Sequence, residues 1–156
     1  KGFLMQTWGK PLAGAVLKGG TVTADTAVAP DADLSRSIAE RNKTVEALLT
    51  EEGIKQLINV DKLPAGMTVK DVIAMIKDVL SGKTKVGEKK DKVLEFCYLD
   101  GFTINDAVLL HAGKKYGRVY MPKEMVKDAD SDRVALATLH EVLHHVFPED
   151  TNHTII

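Results

Sequence analysis

A single cysteine, Cys97, is all the thiol chemistry these 156 residues offer. An internal disulfide needs two, so a cross-linked small scaffold is excluded; the compartment stays open, with secretion the preferred expectation over the cytoplasm. Aromatic residues make up only 5% of the chain, and no stretch interleaves them with dense Lys and Arg. An excess of either charge is also missing, because 21 basic residues nearly cancel 22 acidic ones. A basic surface for nucleic acid is therefore not expected, and nucleic acid is not an expected partner. No apolar run approaches the roughly 20 residues that a membrane-spanning helix needs, so a soluble chain without a membrane span is expected. What remains, 44% hydrophobic and 28% charged residues, is the composition of one compact domain with a real core.

Residues 1–30 carry Gly2, Gly9, Pro11, Gly14, Gly19, Gly20 and Pro30 among short apolar runs, which predicts an extended or weakly structured arm. The arm holds no His or Cys and a single carboxylate, Asp25, so a chain starting near Asp31 is expected to keep its metal content. A single α+β domain is expected over 31–156. From Asp31 to Val60, Asp33 and Ser35 are candidate N-caps and Ser37 with Glu40 fits a capping box. Apolar residues at Ile38, Val45, Leu48 and Leu49 then predict a long helix, interrupted at Gly53. Thr68 with Asp71 makes a second capping box. Behind it, Val69, Val72, Ile73, Ile76 and Leu80 form an apolar stripe that stops before Gly82, a second helix.

The Lys-rich run 83–92 reads as a solvated loop. Beyond it, Val93–Leu99, Ile104–His111 and Tyr116–Met121 are rich in β-branched, aromatic and aliphatic residues, and Gly113–Lys115 is a turn signal. These predict a small antiparallel sheet packed on the helices. Asp130, Ser131 and Asp132 then place capping groups and negative charge at the start of a last helix, which runs to Phe147 before Pro148.

That helix contains His140-Glu141-Val142-Leu143-His144, the pattern HExxH. Residues four apart lie on one helix face, so both imidazoles can reach one ion, at the roughly 2.0–2.1 Å of a Zn–N bond. Glu141, rotated by about 100°, can reach a water in the ion's open position without being a ligand, the place of a general base. Leu139, Val142 and Val146 fall on another face and can hold the helix against the sheet. Because Pro148 turns the chain, Asp150 and His153 compete for the third ligand position, Asp150 named first, with Glu149 behind them. His145 points toward the Glu141 side and reads as a partly exposed surface histidine. Tyr116 and Tyr120 lie on the strand that would border the cleft; packing is the plainer reading, and a phenol there could stabilise an oxyanion.

On these residues the chain resembles the zincin metallopeptidases, in which the HExxH helix follows a sheet whose edge strand aligns the substrate. The resemblance implies a zincin-like fold with one Zn2+ on His140 and His144, and Glu141 activating water for peptide-bond hydrolysis of a protein or peptide substrate. Asp150, six residues after His144, stands where the metzincin pattern HExxHxxGxxH, or its variant ending in Asp, has its third ligand. Phe147 stands where that pattern has Gly, so the clan is left open. The alternative reading is a non-catalytic zinc-binding structural or interaction protein, such as an effector or virion component, whose ion is fully ligated.

Other motifs carry less. Cys97 lies in the apolar strand Leu94–Leu99 and reads as a small buried hydrophobe. Gly82-Lys83-Thr84 mimics the end of a phosphate loop, but Lys77 replaces its first Gly and the segment follows a helix.

Overall fold

The computed structural model describes residues 29–84, 94–99, 118–128, 131–150 and 152–156, together with the backbone of 16–17 and 20–21. In the N-terminal segment, two-residue strands β1 (Val16–Leu17) and β2 (Gly20–Thr21) pair antiparallel. Helix α1 spans Ala32–Leu48. Its N-cap is Asp31, whose carboxylate accepts from the Leu34 amide at 2.8 Å, and not Asp33, Ser35 or the Ser37–Glu40 pair. The earlier cap is favoured because it brings Leu34, only 2% exposed, into the core on the helix's first turn.

The break in the long helical pattern falls at Leu49 and Thr50. Thr50 adopts extended backbone and caps a short helix, α2 (Glu51–Lys55), its hydroxyl accepting from Gly53 N at 3.1 Å. Gly53, the expected interruption, sits inside α2, and a Cβ there would run into the Leu48 carbonyl. In an unconstrained helix interior, Gly→Ala stabilises by about 1 kcal/mol. Gly53→Ala is expected to do the reverse, destabilising by on the order of 2 kcal/mol through overpacking. At about 2–4 °C per kcal/mol for a chain of this size, a thermal melt resolves it, and an unchanged or raised Tm would refute the close approach.

Helix α3 (Val69–Ser81) begins with the reciprocal Thr68–Asp71 box, at 2.8 and 3.2 Å, and ends at Gly82 in left-handed backbone (φ 81°). Its stripe of Val69, Val72, Ile76 and Val79 is buried. The sheet corrects the antiparallel expectation. Strands β3 (Glu95–Leu99) and β4 (Arg118–Pro122) pair in parallel, Glu95 opposite Arg118 and Leu99 opposite Pro122. A parallel pair requires a crossover of a dozen or more residues, which the interval between them supplies. Cys97–Leu99 and Val119–Pro122 are buried without alternation, as suits strands covered on both faces. The expected strand 104–111 and turn 113–115 lie outside the described residues. A short helix, α4 (Lys123–Asp128), follows β4 directly.

The last helix, α5 (Ser131–Val146), runs between two apolar clusters. Ala135, Leu139, Val142, Leu143 and Val146 pack with Ile54 of α2 and with Val72, Ile76 and Val79 of α3. On another side, Val134 and Ala137 pack with Leu34, Tyr98, Val119, Met121, Met125 and Val126. Each fully enclosed Leu or Val contributes on the order of 1.5–3 kcal/mol. Anchored on both flanks, α5 has little freedom to roll, and this fixes the direction of the face left over, which carries its histidines. No helix among the described residues is long and apolar enough to cross a membrane.

Candidate metal centre

The i,i+4 spacing on α5 does what its periodicity requires. His140 and His144 are 1% and 8% exposed, with their Nε2 atoms 3.3 Å apart. Two nitrogens bound about 2.05 Å from a tetrahedral ion lie roughly 3.3–3.4 Å from each other, so the pair already has the separation of two ligands. A third imidazole joins them. His140, His144 and His153 each present one ligand atom, all within 4.8 Å of one another. The His153 ring is parallel to that of His140 at 5.7 Å and edge-on to that of His144 at 4.9 Å. Three neutral nitrogen donors around one point fit a borderline ion such as zinc, and three protein ligands leave a fourth position.

The path that delivers His153 starts where α5 stops. The Phe147 amide still bonds to Leu143 O at 2.8 Å, after which Pro148 turns the chain. Asp150, the other candidate ligand, is not part of the cluster. Its carboxylate accepts from the amides of Thr154 (2.9 Å), Ile155 (2.9 Å) and Ile156 (3.0 Å). Burial alone would raise the Asp150 carboxyl, but these three donors, with His153 nearby, outweigh it and hold the group below its ordinary value. The loop it ties has His153 at φ 55°, a left-handed backbone that costs an ordinary residue roughly 1–2 kcal/mol. Two further anchors oppose that cost: Asn59 N bonds Ile155 O at 2.6 Å, and Ile156 is fully buried in the core. Glu149 is exposed on the surface.

Glu141 is 2% exposed, and its Oε2 lies 3.8 Å from His140 Nε2 with no hydrogen-bond partner among the described residues. Burial pushes its carboxyl up to about 8, so in the metal-free protein it holds a proton at neutral pH. A cation at the histidines would favour the carboxylate again.

His145 differs from the expected surface histidine. It is only 9% exposed, and its Nε2 is 3.2 Å from the Arg118 carbonyl, tying α5 to the first residue of β4. Helical periodicity alone could not reveal this, because the strand's position decides it. Tyr116 lies outside the described residues. Tyr120 is buried, and its hydroxyl accepts from Arg118 Nη1 at 3.3 Å, while Arg118 Nε bonds Glu95 at 3.0 Å. Cys97 is buried as expected, and desolvation pushes its thiol up, away from nucleophilic use. Comparison with known proteins finds no matching family model, curated protein or solved structure.

Proposed function

We propose that the chain is a zinc-dependent hydrolase of peptide bonds, with His140, His144 and His153 as ligands and Glu141 as general base. The observation that carries this reading is the convergence of three histidine nitrogens within 4.8 Å, with a buried, non-ligating carboxylate one residue from the first of them. Zinc bound there supplies a Lewis acid and lowers the pKa of its bound water toward about 7. Glu141 would be the residue to take up a water's proton and return it to the leaving amine, a shuttle that works best for a group with pKa near the working pH. The helix register keeps Glu141 off the ligand face and beside it, so the base need not compete for the ion. The peptide as substrate comes from the resemblance to zincins.

A second reading rests on the depth of the site: with His140 at 1% and Glu141 at 2% exposure, the cluster also suits a structural ion in an interaction protein. Metal content and catalysis together separate the two. Elemental analysis of the purified chain is expected to give about one zinc, with an anomalous signal at the zinc edge between the three histidines. Cleavage of a mixed peptide library should stop with a chelator and return with added zinc. Stoichiometric zinc without cleavage would favour the structural reading, and absence of stoichiometric zinc would remove both.

A further inference from the structure

Away from the histidines, a groove of about 530 Å³ opens between α1 and α3, with Phe96 of β3 and Thr138 of α5 also lining it. Its volume lies in the range of small-molecule sites, roughly 300–1,000 Å³. Arg41 lies in its wall and is 3% exposed. A buried arginine is ordinarily matched by a carboxylate. Here no acidic group among the described residues pairs with it. Its Nε and Nη2 share one acceptor, Asn42 Oδ1, at 3.2 and 2.8 Å, Nη1 meets the weak acceptor Met121 Sδ at 3.6 Å, and the Tyr98 hydroxyl is a further neutral partner. The rings of Phe96 and Tyr98, with centroids 4.9 and 5.6 Å from the guanidinium carbon, hold the cation without neutralising it. Lys77, exposed and without an ion pair among the described residues, adds a second positive charge at the rim, against the single carboxylate of Glu46. The rest of the lining is chiefly apolar, with Val45, Leu49 and Leu80 facing the same space.

We propose that this groove binds a small amphipathic carboxylate, its charged end on Arg41 with Lys77 at the rim and its apolar body against Val45, Leu49 and Leu80. The guanidinium is suited to this role because its planar fork matches a carboxylate, and a site shielded from water strengthens that contact. Thr138 donates to the Val134 carbonyl at 2.8 Å and also approaches Met121 Sδ, at 3.7 Å. The floor beneath Arg41 is thus already hydrogen-bonded before a ligand arrives.

The test titrates octanoate into isotopically labelled full-length protein, once zinc-loaded and once with a chelator, and follows backbone amide shifts. Saturable shifts are expected on α1 and α3 in both states. Octanamide, which keeps the chain and loses the charge, should bind at least about tenfold more weakly. Lys77→Glu, at an exposed position that leaves the fold intact, should weaken octanoate by a similar factor, and Arg41→Gln should abolish saturation. Should Arg41→Gln fail to fold, the Lys77→Glu and octanamide results decide alone. The proposal is overturned if octanoate does not saturate, if octanamide binds equally, or if Lys77→Glu changes nothing. Shifts confined to the end of α5 that vanish with the chelator would also overturn it, since the carboxylate would then be sitting on the metal.

Discussion

Glu141→Gln is expected to leave about one zinc per chain while slowing peptide cleavage by roughly 10²-fold or more. The two halves of this expectation have separate origins. Zinc retention follows from the ligand set, because Glu141 lies outside the cluster of three imidazoles. Loss of rate follows from the proton, since an amide has nearly the shape of the carboxyl group but cannot accept and return one. The fold is expected to tolerate the change. The buried carboxyl is already uncharged at neutral pH in the metal-free protein, with its pKa near 8, so an amide is close to its isostere there. Zinc content and initial rates on one preparation provide the measurement. Retained activity would remove Glu141 from the mechanism, and simultaneous loss of zinc would mean that it helps to hold the metal.

Replacing His153 with Ala is expected to weaken zinc binding by more than the 10–100-fold that loss of an outer contact costs, and to do so as severely as His140→Ala or His144→Ala. Asp150→Ala should fall inside that 10–100-fold window, because it removes the three-amide tie that presents His153 and leaves every ligand in place. Asp150→Asn retains one oxygen acceptor and should recover part of the difference. Competition against a chromophoric chelator gives the affinities of all five variants. If Asp150→Ala proved as damaging as His140→Ala while His153→Ala was mild, the carboxylate and not the imidazole would be the third ligand.

What could be read in the sequence was whatever a few neighbouring residues decide among themselves. The Thr68–Asp71 box and the four-residue spacing of His140 and His144 are of this kind, and both are formed as the pattern implies. Choices that depend on a distant partner were not legible. Asp31 outcompetes later caps because Leu34 has a core to enter. The strand pair is parallel, an arrangement between distant segments on which a turn signal at Gly113 carries no information. By type and distance along the chain Asp150 ranks ahead of His153 as a ligand, whereas the structure clusters His153 with His140 and His144. Their different roles depend on the amides of Thr154 to Ile156 turning back onto the aspartate, and on Asn59 receiving Ile155. The burial of Arg41 likewise depends on distant residues, the rings of Phe96 and Tyr98.

On the proposed ligand set, the bond from Asn59 to Ile155 ties the position of the third ligand to a distant part of the chain. Two imidazoles are supplied by one helix turn, whereas the third lies on a segment that is docked against the distant stretch after α2. If zinc binds there as proposed, its apparent affinity would be the intrinsic affinity multiplied by the fraction of chains with that segment docked. By the same linkage, zinc at a hundred times its dissociation constant stabilises the docked state by about 2.7 kcal/mol. On the proposed ligand set, the ion and the segment 152–156 would act as a cooperative pair, in which a change at Asn59 or Ile155 would alter the occupancy of a site that neither residue ligates.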